Sequence, residues 1–227
     1  MSAPPDQAVP SRVRAVAVPL AATGLCALVV VLLGAVVSAH LAVQRELDGT
    51  VSRALYAGDD RSRALDLALE VLTAPGLSVV RFALAVPVLL WLLHRQAWRT
   101  MVWVVTAAVL VAPITGALKE AFGRVRPAFE EGGARYDTLS FPSGHSSGIA
   151  TLVAVGLLLA WPLLAPRARR VWAVVGGLLV LLVGLTRIWL GVHYPTDVVA
   201  GWALGLGWTL LTAVALGVLP LRDGELR

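Results

Sequence analysis

The sequence predicts an all-α membrane protein whose six transmembrane helices form one bundle, and three observations support this fold class. First, 58% of the 227 residues are hydrophobic and 15% are charged, which excludes a disordered chain and argues against a water-soluble globule. Second, six apolar stretches are each long enough to cross a hydrocarbon layer of about 30 Å as a helix. Third, these stretches lack the period-two alternation of barrel strands, which leaves helices as the way to pair every backbone amide in lipid.

A single six-span domain over residues 16–219 accounts for most of the chain. Residues 1–15 are rich in proline and are expected to form a disordered cytoplasmic tail. Residues 220–227 are expected to form a cytoplasmic tail at the other end of the chain. A cleaved signal peptide is disfavoured, because the first apolar run is longer than the roughly 7–15 residues of a signal core. The predicted spans cover residues 16–39, 77–93, 101–118, 148–165, 171–190 and 198–219.

The segment between the first two spans, residues 40–76, alternates charged residues with leucine and valine. Apolar residues such as Leu47, Val51 and Leu55 follow one another at helical spacing, which predicts a partly helical amphipathic segment at the membrane interface. A solvated connecting loop packed on the bundle explains the same pattern. In either case we expect Gly58-Asp59-Asp60 to interrupt the segment in its middle.

Arginine placement predicts how the chain is oriented in the cell membrane. Arginines flank the cytoplasmic ends of the predicted spans at Arg12, Arg14, Arg95, Arg99, Arg167, Arg169, Arg170, Arg222 and Arg227. The positive-inside rule then places both termini in the cytoplasm and the loops at residues 40–76 and 119–147 on the extracytoplasmic side.

The formal net charge of +5 does not indicate a nucleic-acid partner. The basic residues are scattered between apolar runs instead of forming one stripe, so we expect them to anchor loops and expect no nucleic acid to bind. Cys26 is the single cysteine, which excludes an intrachain disulfide. The sequence leaves the oligomeric state open.

Chemistry-bearing side chains collect at one predicted end of the last four spans. The set consists of Lys119, Arg126, His145, Arg187, His193 and Asp197. Because a charged side chain costs about 2.5–3.5 kcal/mol at the membrane centre, functional ones are expected at span ends or in lined cavities. Lys119 is the only lysine in the chain, which indicates a need for its compact ammonium, although a stray surface lysine is the plain alternative.

Three short segments carry this set. Lys119 and Arg126 are seven residues apart and would share a face if the helix continued to Pro127, although such a pair is also common at a solvated helix end. Ser143 is a candidate N-cap before the fourth span, where Gly144 and the free amides favour an anion. An ordinary helix cap explains the same residues.

The third segment joins the fifth and sixth spans. Pro195 suits a first helical turn, which puts His193 just ahead of the helix and Asp197 inside it. Asp197 can then accept a hydrogen bond from one imidazole nitrogen and leave the other as a nucleophile. A structural cap is the alternative reading of this pair.

Together the three segments resemble the signature of the type 2 phosphatidate phosphatase family, the membrane branch of the acid phosphatase and vanadium haloperoxidase superfamily. The matching motifs are Lys119 with Arg126-Pro127, then Pro142-Ser143-Gly144-His145, then Arg187 with His193 and Asp197. Thr186 stands where the third motif usually has serine, and it keeps a hydroxyl. The motifs cover residues 119–197, and the remainder is similar by hydropathy alone.

The resemblance implies a lipid phosphatase that needs no metal or other cofactor. It implies that His193 attacks phosphorus to give a phosphohistidine, that Asp197 orients His193, and that His145 protonates the leaving alkoxide and later activates water. The expected phosphate-binding residues are Lys119, Arg126, Ser143, Gly144 and Arg187, of which three supply positive charge.

The expected partner is a phosphorylated lipid within the bilayer, because the site lies at the outer ends of the spans. Polyprenyl diphosphate, phosphatidate and phosphatidylglycerol phosphate all fit, with a preference for the polyprenyl carrier of a bacterial envelope. A lipid phosphotransferase with the same intermediate is one alternative. A non-catalytic six-helix lipid transporter is the other, and it explains the hydropathy but not the cluster of cations and histidines.

Arg81 lies one turn into the second predicted span, away from this cluster in the sequence. We expect its long side chain to snorkel to the interface, or alternatively to meet a lipid headgroup.

Overall fold

The computed structural model of the chain describes residues 9–219, so the tails expected at residues 1–8 and 220–227 lie outside the described residues. Every regular element in this range is helical. The helices are α1 (Val9–Ser38), α2 (Ala42–Leu55), α3 (Arg63–Thr73), α4 (Ser78–His94), α5 (Trp98–Phe122), α6 (Gly144–Ala160), α7 (Pro166–Trp189) and α8 (Pro195–Ala215). Because α1 begins at Val9, residues 9–15 are helical and not part of a disordered tail.

Five of these helices are long and apolar enough to cross a membrane: α1 from Val16, α5, α6 with the turn that follows it, α7 and α8. Helices α3 and α4 are bent by 47° where they meet, and they make a sixth span when the pair is taken as one. The predicted all-α bundle of membrane-spanning helices is therefore confirmed.

Local sequence explains several of the helix ends. Proline occupies the first turn of α7 and α8, where its fixed backbone angle suits a helix and its missing N–H is not needed. Helix α5 ends where Gly123 takes a left-handed conformation, with φ of 61°. The expectation that one helix runs from Lys119 to Pro127 is therefore wrong, because the chain leaves the helix at Gly123 and carries Arg126 in the loop.

The segment between the first two spans forms α2 and α3, separated by a break around Gly58, as the amphipathic pattern predicted. The polar residues of α2 face the bundle: Gln44, Asp48 and Ser52 are buried at a spacing of four. Its apolar residues, including Val43 and Leu47, are exposed on the outer face. This inverted arrangement suits a helix with lipid on its outside and a polar site behind it.

Helix α6 is the central element, since it packs against α5, α7 and α8. Its contact with α8 requires glycine, because a Cβ on Gly205 would lie 2.2 Å from the backbone oxygen of Ser147. One end of the bundle has an apolar core that includes Leu92, Trp103 and Leu159. At the other end the C-termini of α5 and α7 meet the N-termini of α6 and α8, and polar side chains converge there.

Candidate active site

The polar end of the bundle contains a cavity of about 550 Å³. Six of the eight predicted site residues line it: Lys119, Arg126, Gly144, His145, Arg187 and His193. The other two, Ser143 and Asp197, are fully buried behind the wall. Three separate motifs thus converge on one space, with histidines and cations facing inward.

His193 is held in one orientation by Asp197. Its Nδ1 lies 3.3 Å from Asp197 Oδ2, which also accepts hydrogen bonds from the Tyr194 amide at 2.9 Å and Ser140 Oγ at 2.5 Å. The opposite ring nitrogen, Nε2, lies 3.1 Å from Arg126 Nη1. Arginine can only donate, so Nε2 is the acceptor in this contact and carries a lone pair, while Nδ1 carries the proton.

Burial is the main influence on His193. It lowers the pKa of the imidazole to about 3, although the hydrogen bond and charge of Asp197 oppose this shift and the charges of Arg126 and Arg187 add to it. His193 is therefore neutral at physiological pH. A neutral, oriented imidazole whose Nε2 faces the cavity is what a nucleophile requires.

The cavity cations are held by uncharged groups. Arg126 donates to the backbone oxygens of Thr138 and Val192, each at 2.8 Å. Lys119 donates to the carbonyls of Leu139 and Ser140. Because carbonyl oxygens do not neutralise these charges, both cations remain available to an anion.

Arg187 completes this group. Its Nη1 donates to Thr73 Oγ1 at 3.2 Å, and its buried Nε has no hydrogen-bond partner in the described part of the chain. Between residues 9 and 219 the structure shows no ion pair to Lys119, Arg126 or Arg187. We refer to these three residues as the cavity cations. Three positive charges without a carboxylate partner match the charge of a phosphate group.

The N-terminus of α6 forms another part of the wall. Ser143 caps the helix as predicted, its Oγ accepting from the Ser146 amide at 3.4 Å and from Ser146 Oγ at 3.0 Å. The Ser143 amide donates to the backbone oxygen of Asp197 at 2.9 Å, which fastens α6 to α8. The hydroxyl is thus engaged in the cap, and Gly144 and His145 present this helix end to the cavity.

Sequence reasoning did not identify Asp48 and Arg124. Arg124 Nη1 donates to Asp197 Oδ1 at 2.7 Å, and its Nη2 donates to Asp48 Oδ2 at 2.6 Å. Asp48 also accepts from the amide and hydroxyl of Thr196 at 3.1 and 2.6 Å. The buried polar spacing of Gln44, Asp48 and Ser52 was the available signal for Asp48. The loop sequence around Arg124 carries no comparable signal.

The part of the chain that the structure describes contains no group of three or more His, Cys, Asp or Glu residues placed to hold a metal ion. Asp197 contacts His193, and its oxygens accept hydrogen bonds from His193, Tyr194, Ser140 and Arg124. Catalysis without a metal ion therefore stays a prediction, and an activity assay in the presence of a chelator tests it.

The sequence matches the PAP2 superfamily over residues 97–218, which is more than half of the chain. The chain belongs to the PAP2 superfamily. The matched region contains all three motifs and helices α5 to α8. The relationship predicted from the motifs is therefore confirmed.

Relatives within the PAP2 superfamily carry several phosphatase names. The chain is 40% identical over 92 residues to phosphatidylglycerophosphatase B of Bacillus subtilis, covering 39% of this chain and 44% of the relative. It is 35% identical over 118 residues to lipid A 1-phosphatase of Rhizobium etli, covering 48% and 47%. It is 39% identical over 86 residues to undecaprenyl-diphosphatase of Sulfolobus acidocaldarius, covering 38% of each. The chain thus spans less than half the length of these curated relatives.

A solved structure extends the likeness to the whole bundle. The transmembrane PAP2 type phosphatidylglycerolphosphate phosphatase from Bacillus subtilis superposes with a TM-score of 0.70 at 25% sequence identity. The match covers 88% of this chain and 98% of that structure. The helices outside the 97–218 region therefore belong to the same overall fold, and the chain is a multi-span membrane protein.

Proposed function

We propose that this protein is a phosphatase that hydrolyses a phosphomonoester or diphosphate of a membrane lipid, without a metal, through a phosphohistidine intermediate. The observation that carries the proposal is the placement of His193 Nε2, which faces a cavity lined by the three cavity cations and His145. PAP2 membership and the phosphatase names of the relatives support the same class of reaction.

The geometry supports a two-step mechanism. The cavity cations bind the non-bridging phosphate oxygens, and Arg126 moves its Nη1 contact from His193 to phosphate. The negative charge of the bound phosphate offsets the surrounding cations, so that His145 takes up a proton. His193 Nε2 then attacks phosphorus, the bond from phosphorus to the lipid oxygen breaks, and protonated His145 gives its proton to that oxygen. A water molecule then loses a proton to His145 and attacks the phosphohistidine, releasing inorganic phosphate and neutral His193.

Asp197 acts in this mechanism by orientation and charge. Its contact with Nδ1 keeps the proton on that nitrogen and stabilises the positive charge that His193 acquires when it bonds to phosphorus. Four donors already surround the carboxylate, from His193, Tyr194, Ser140 and Arg124. They make Asp197 a weak base, which suits an orienting group that stays ionised.

The substrate of this mechanism is amphiphilic. The cavity lies at the ends of apolar spans, so the phosphate reaches it from the interface while the lipid tail stays in the hydrocarbon layer. The relatives are named for phosphatidylglycerophosphate, lipid A and undecaprenyl diphosphate, all lipids with a phosphate at the membrane surface. We favour a polyprenyl diphosphate, with phosphatidate and phosphatidylglycerol phosphate as the other candidates.

Phosphate release from purified protein against a panel of phosphorylated lipids tests the proposal. We expect turnover that persists in EDTA, and we expect His193→Ala and His145→Ala each to abolish it. His94 is exposed at the other end of the bundle, so His94→Ala is the matched control and should retain activity. A strict requirement for added Mg²⁺, or wild-type turnover in His193→Ala, would contradict the proposal.

A labelled intermediate separates this mechanism from its rivals. After brief exposure to lipid with a ³²P-labelled terminal phosphate, the wild type should carry acid-labile, alkali-stable label that His193→Ala lacks. A lipid phosphotransferase would form the same label but pass it to a second lipid in place of water. Phosphate release with water as the sole acceptor distinguishes the two activities.

We place the site on the extracytoplasmic side of the cell membrane, with both termini in the cytoplasm. The arginines of the short connections support this orientation. The cavity opens at the end of the bundle that carries the loop between α5 and α6. A reporter fused after Arg227 should be active in the cytoplasm, and activity only on the outer face would reverse the assignment.

A further inference from the structure

Arg81 is a buried cation that the proposed mechanism leaves unused. Its side chain turns into the bundle and is 2% exposed, so the expectation that it snorkels to the interface is wrong. Its Nε donates to the backbone oxygen of Ala108 at 2.9 Å and its Nη2 to Ser78 Oγ at 3.1 Å. Across residues 9–219 the structure shows no carboxylate paired with it. An unpaired charge inside a membrane bundle is expensive, which indicates a functional reason for keeping it.

Arg81 also adjoins the candidate active site. It lines a second cavity of about 440 Å³ between α4, α5 and α6, and this cavity shares Lys119, Gly144 and His145 with the first. Arg81 Nη1 rests against Gly148, where a Cβ would lie 2.5 Å from it. Gly148 is three residues after His145 in α6, so the guanidinium lies about one helical turn further into the bundle than the proposed proton donor.

The depth of Arg81 matches the path of a lipid substrate. When the phosphate to be cleaved lies between His145 and His193, the lipid tail must lead from it toward the membrane centre. The chemical group that joins this phosphate to the tail then passes at the level of Arg81. Among residues 9–219, protein atoms accept hydrogen bonds from two of the five N–H donors of Arg81, which leaves three donors for a ligand.

We propose that Arg81 binds a second phosphate, the one that stays on the lipid after cleavage, and that it thereby selects diphosphate lipids over monophosphate lipids. This inference rests on the proposed lipid phosphatase activity and assigns its substrate class. Lys119 lines both cavities, whereas Arg81 lines the second cavity and not the first, which matches a position beside the deeper phosphate of a diphosphate. A phosphomonoester has no group at that depth to engage the guanidinium.

A structural role for Arg81 predicts a different outcome. In that role, the hydrogen bond from Arg81 to the Ala108 carbonyl would only hold α4 against α5. Loss of that contact would affect every substrate equally. The ratio of activities on two substrates with the same tail therefore separates selection from structure.

The test measures kcat/KM for a prenyl diphosphate and for the monophosphate of the same prenyl chain, with full-length protein in mixed micelles. In Arg81→Gln we expect the value for the diphosphate to fall about 10- to 100-fold and the value for the monophosphate less than about threefold, since one charge-assisted contact is lost. Arg81→Lys keeps the charge and loses the forked donors, so it should give an intermediate ratio. It also provides the deciding variant if Arg81→Gln does not fold.

Arg99→Gln is the matched control, because Arg99 is exposed at the other end of the bundle and also donates to a backbone oxygen, that of Leu216. Its substrate ratio should equal that of the wild type. Equal losses on both substrates in the Arg81 variants, or no loss on either, would overturn the inference while leaving the phosphatase proposal intact. A wild type that releases phosphate from neither substrate would overturn the proposed function and this inference with it.

Discussion

Arg124 and Arg126 are two residues apart in one loop, yet their side chains lie in opposite electrostatic surroundings. Arg124 lies between two buried carboxylates, with Asp48 Oδ2 at 2.6 Å and Asp197 Oδ1 at 2.7 Å. Arg126 contacts backbone oxygens, the hydroxyl of Thr138 and the imidazole of His193. The first arginine is neutralised by its partners, and the second keeps its charge for a ligand.

This difference extends to the two regions around them. On one side of His193, the acid-paired cluster of Asp48, Arg124 and Asp197 fixes α2, the loop after α5 and the start of α8 together. On the other side, the cavity cations have no carboxylate partner. Asp66, Glu70 and Glu131 also line the cavity, but across residues 9–219 none of them forms an ion pair with these cations. The positive charge of the cavity cations therefore remains available to bind phosphate.

The largest expected effect comes from breaking the acid-paired cluster. Arg124→Met leaves two buried carboxylates without their shared cation, which should lower the free energy of unfolding by about 3–5 kcal/mol. Denaturant titration in detergent measures this change. Arg53 is exposed on α2 and its side chain donates a hydrogen bond to Thr50, so Arg53→Met is the control and should change stability little. A loss in Arg124→Met no greater than the loss in this control would mean that the cluster does not stabilise the fold.

The corresponding change among the cavity cations should affect activity instead. Arg126→Met removes one donor to the developing charge on phosphate, so we expect kcat/KM to fall about 100- to 1,000-fold. The free energy of unfolding should change less than in Arg124→Met, because Arg126 has no buried acid to leave unpaired. Phosphate-release kinetics and the same denaturant titration measure both quantities. Retained activity with a large loss of stability would reverse the roles assigned to the two arginines.

The sequence could predict the cavity residues Lys119, His145 and His193 because their residue types are unusual where they occur, and Arg126 and Arg187 follow from the motifs that contain them. Lysine and histidine at the ends of apolar spans stand out, and their spacing is set locally within each motif. The acid-paired cluster could not be predicted in this way, because Asp48 and Arg124 are 76 residues apart and meet only when α2 docks on the bundle. The spacing of the apolar residues predicted that this segment is helical. It did not predict that the polar face with Gln44, Asp48 and Ser52 is the buried one.

Contacts between distant segments also limit how well helix boundaries can be predicted from the sequence. Hydropathy placed the start of the fourth span at residue 148, whereas α6 begins at Gly144. The early turn contains Ser146 and Ser147, which look like loop residues but are buried against neighbouring helices, with Ser147 Oγ 3.0 Å from Thr115 Oγ1. Polar residues inside a bundle are satisfied by other helices, and hydropathy has no means of detecting those partners.

The smallest expected effect concerns the buried imidazole between the two regions. The folded protein holds the pKa of His193 near 3, whereas an unfolded histidine titrates near about 6.5. Between these two pH values His193 binds a proton in the unfolded chain but not in the folded chain. The contribution of neutral His193 to the free energy of unfolding is therefore present above a pH of about 6.5 and is lost as the pH falls. The slope should approach about 1.4 kcal/mol per pH unit in that window.

Denaturant titrations at pH 7, 6 and 5 measure this slope. The slope should be shallower in His193→Asn, because asparagine does not bind a proton in either the folded or the unfolded chain. Parallel pH dependences in the two proteins would show that burial does not hold His193 neutral.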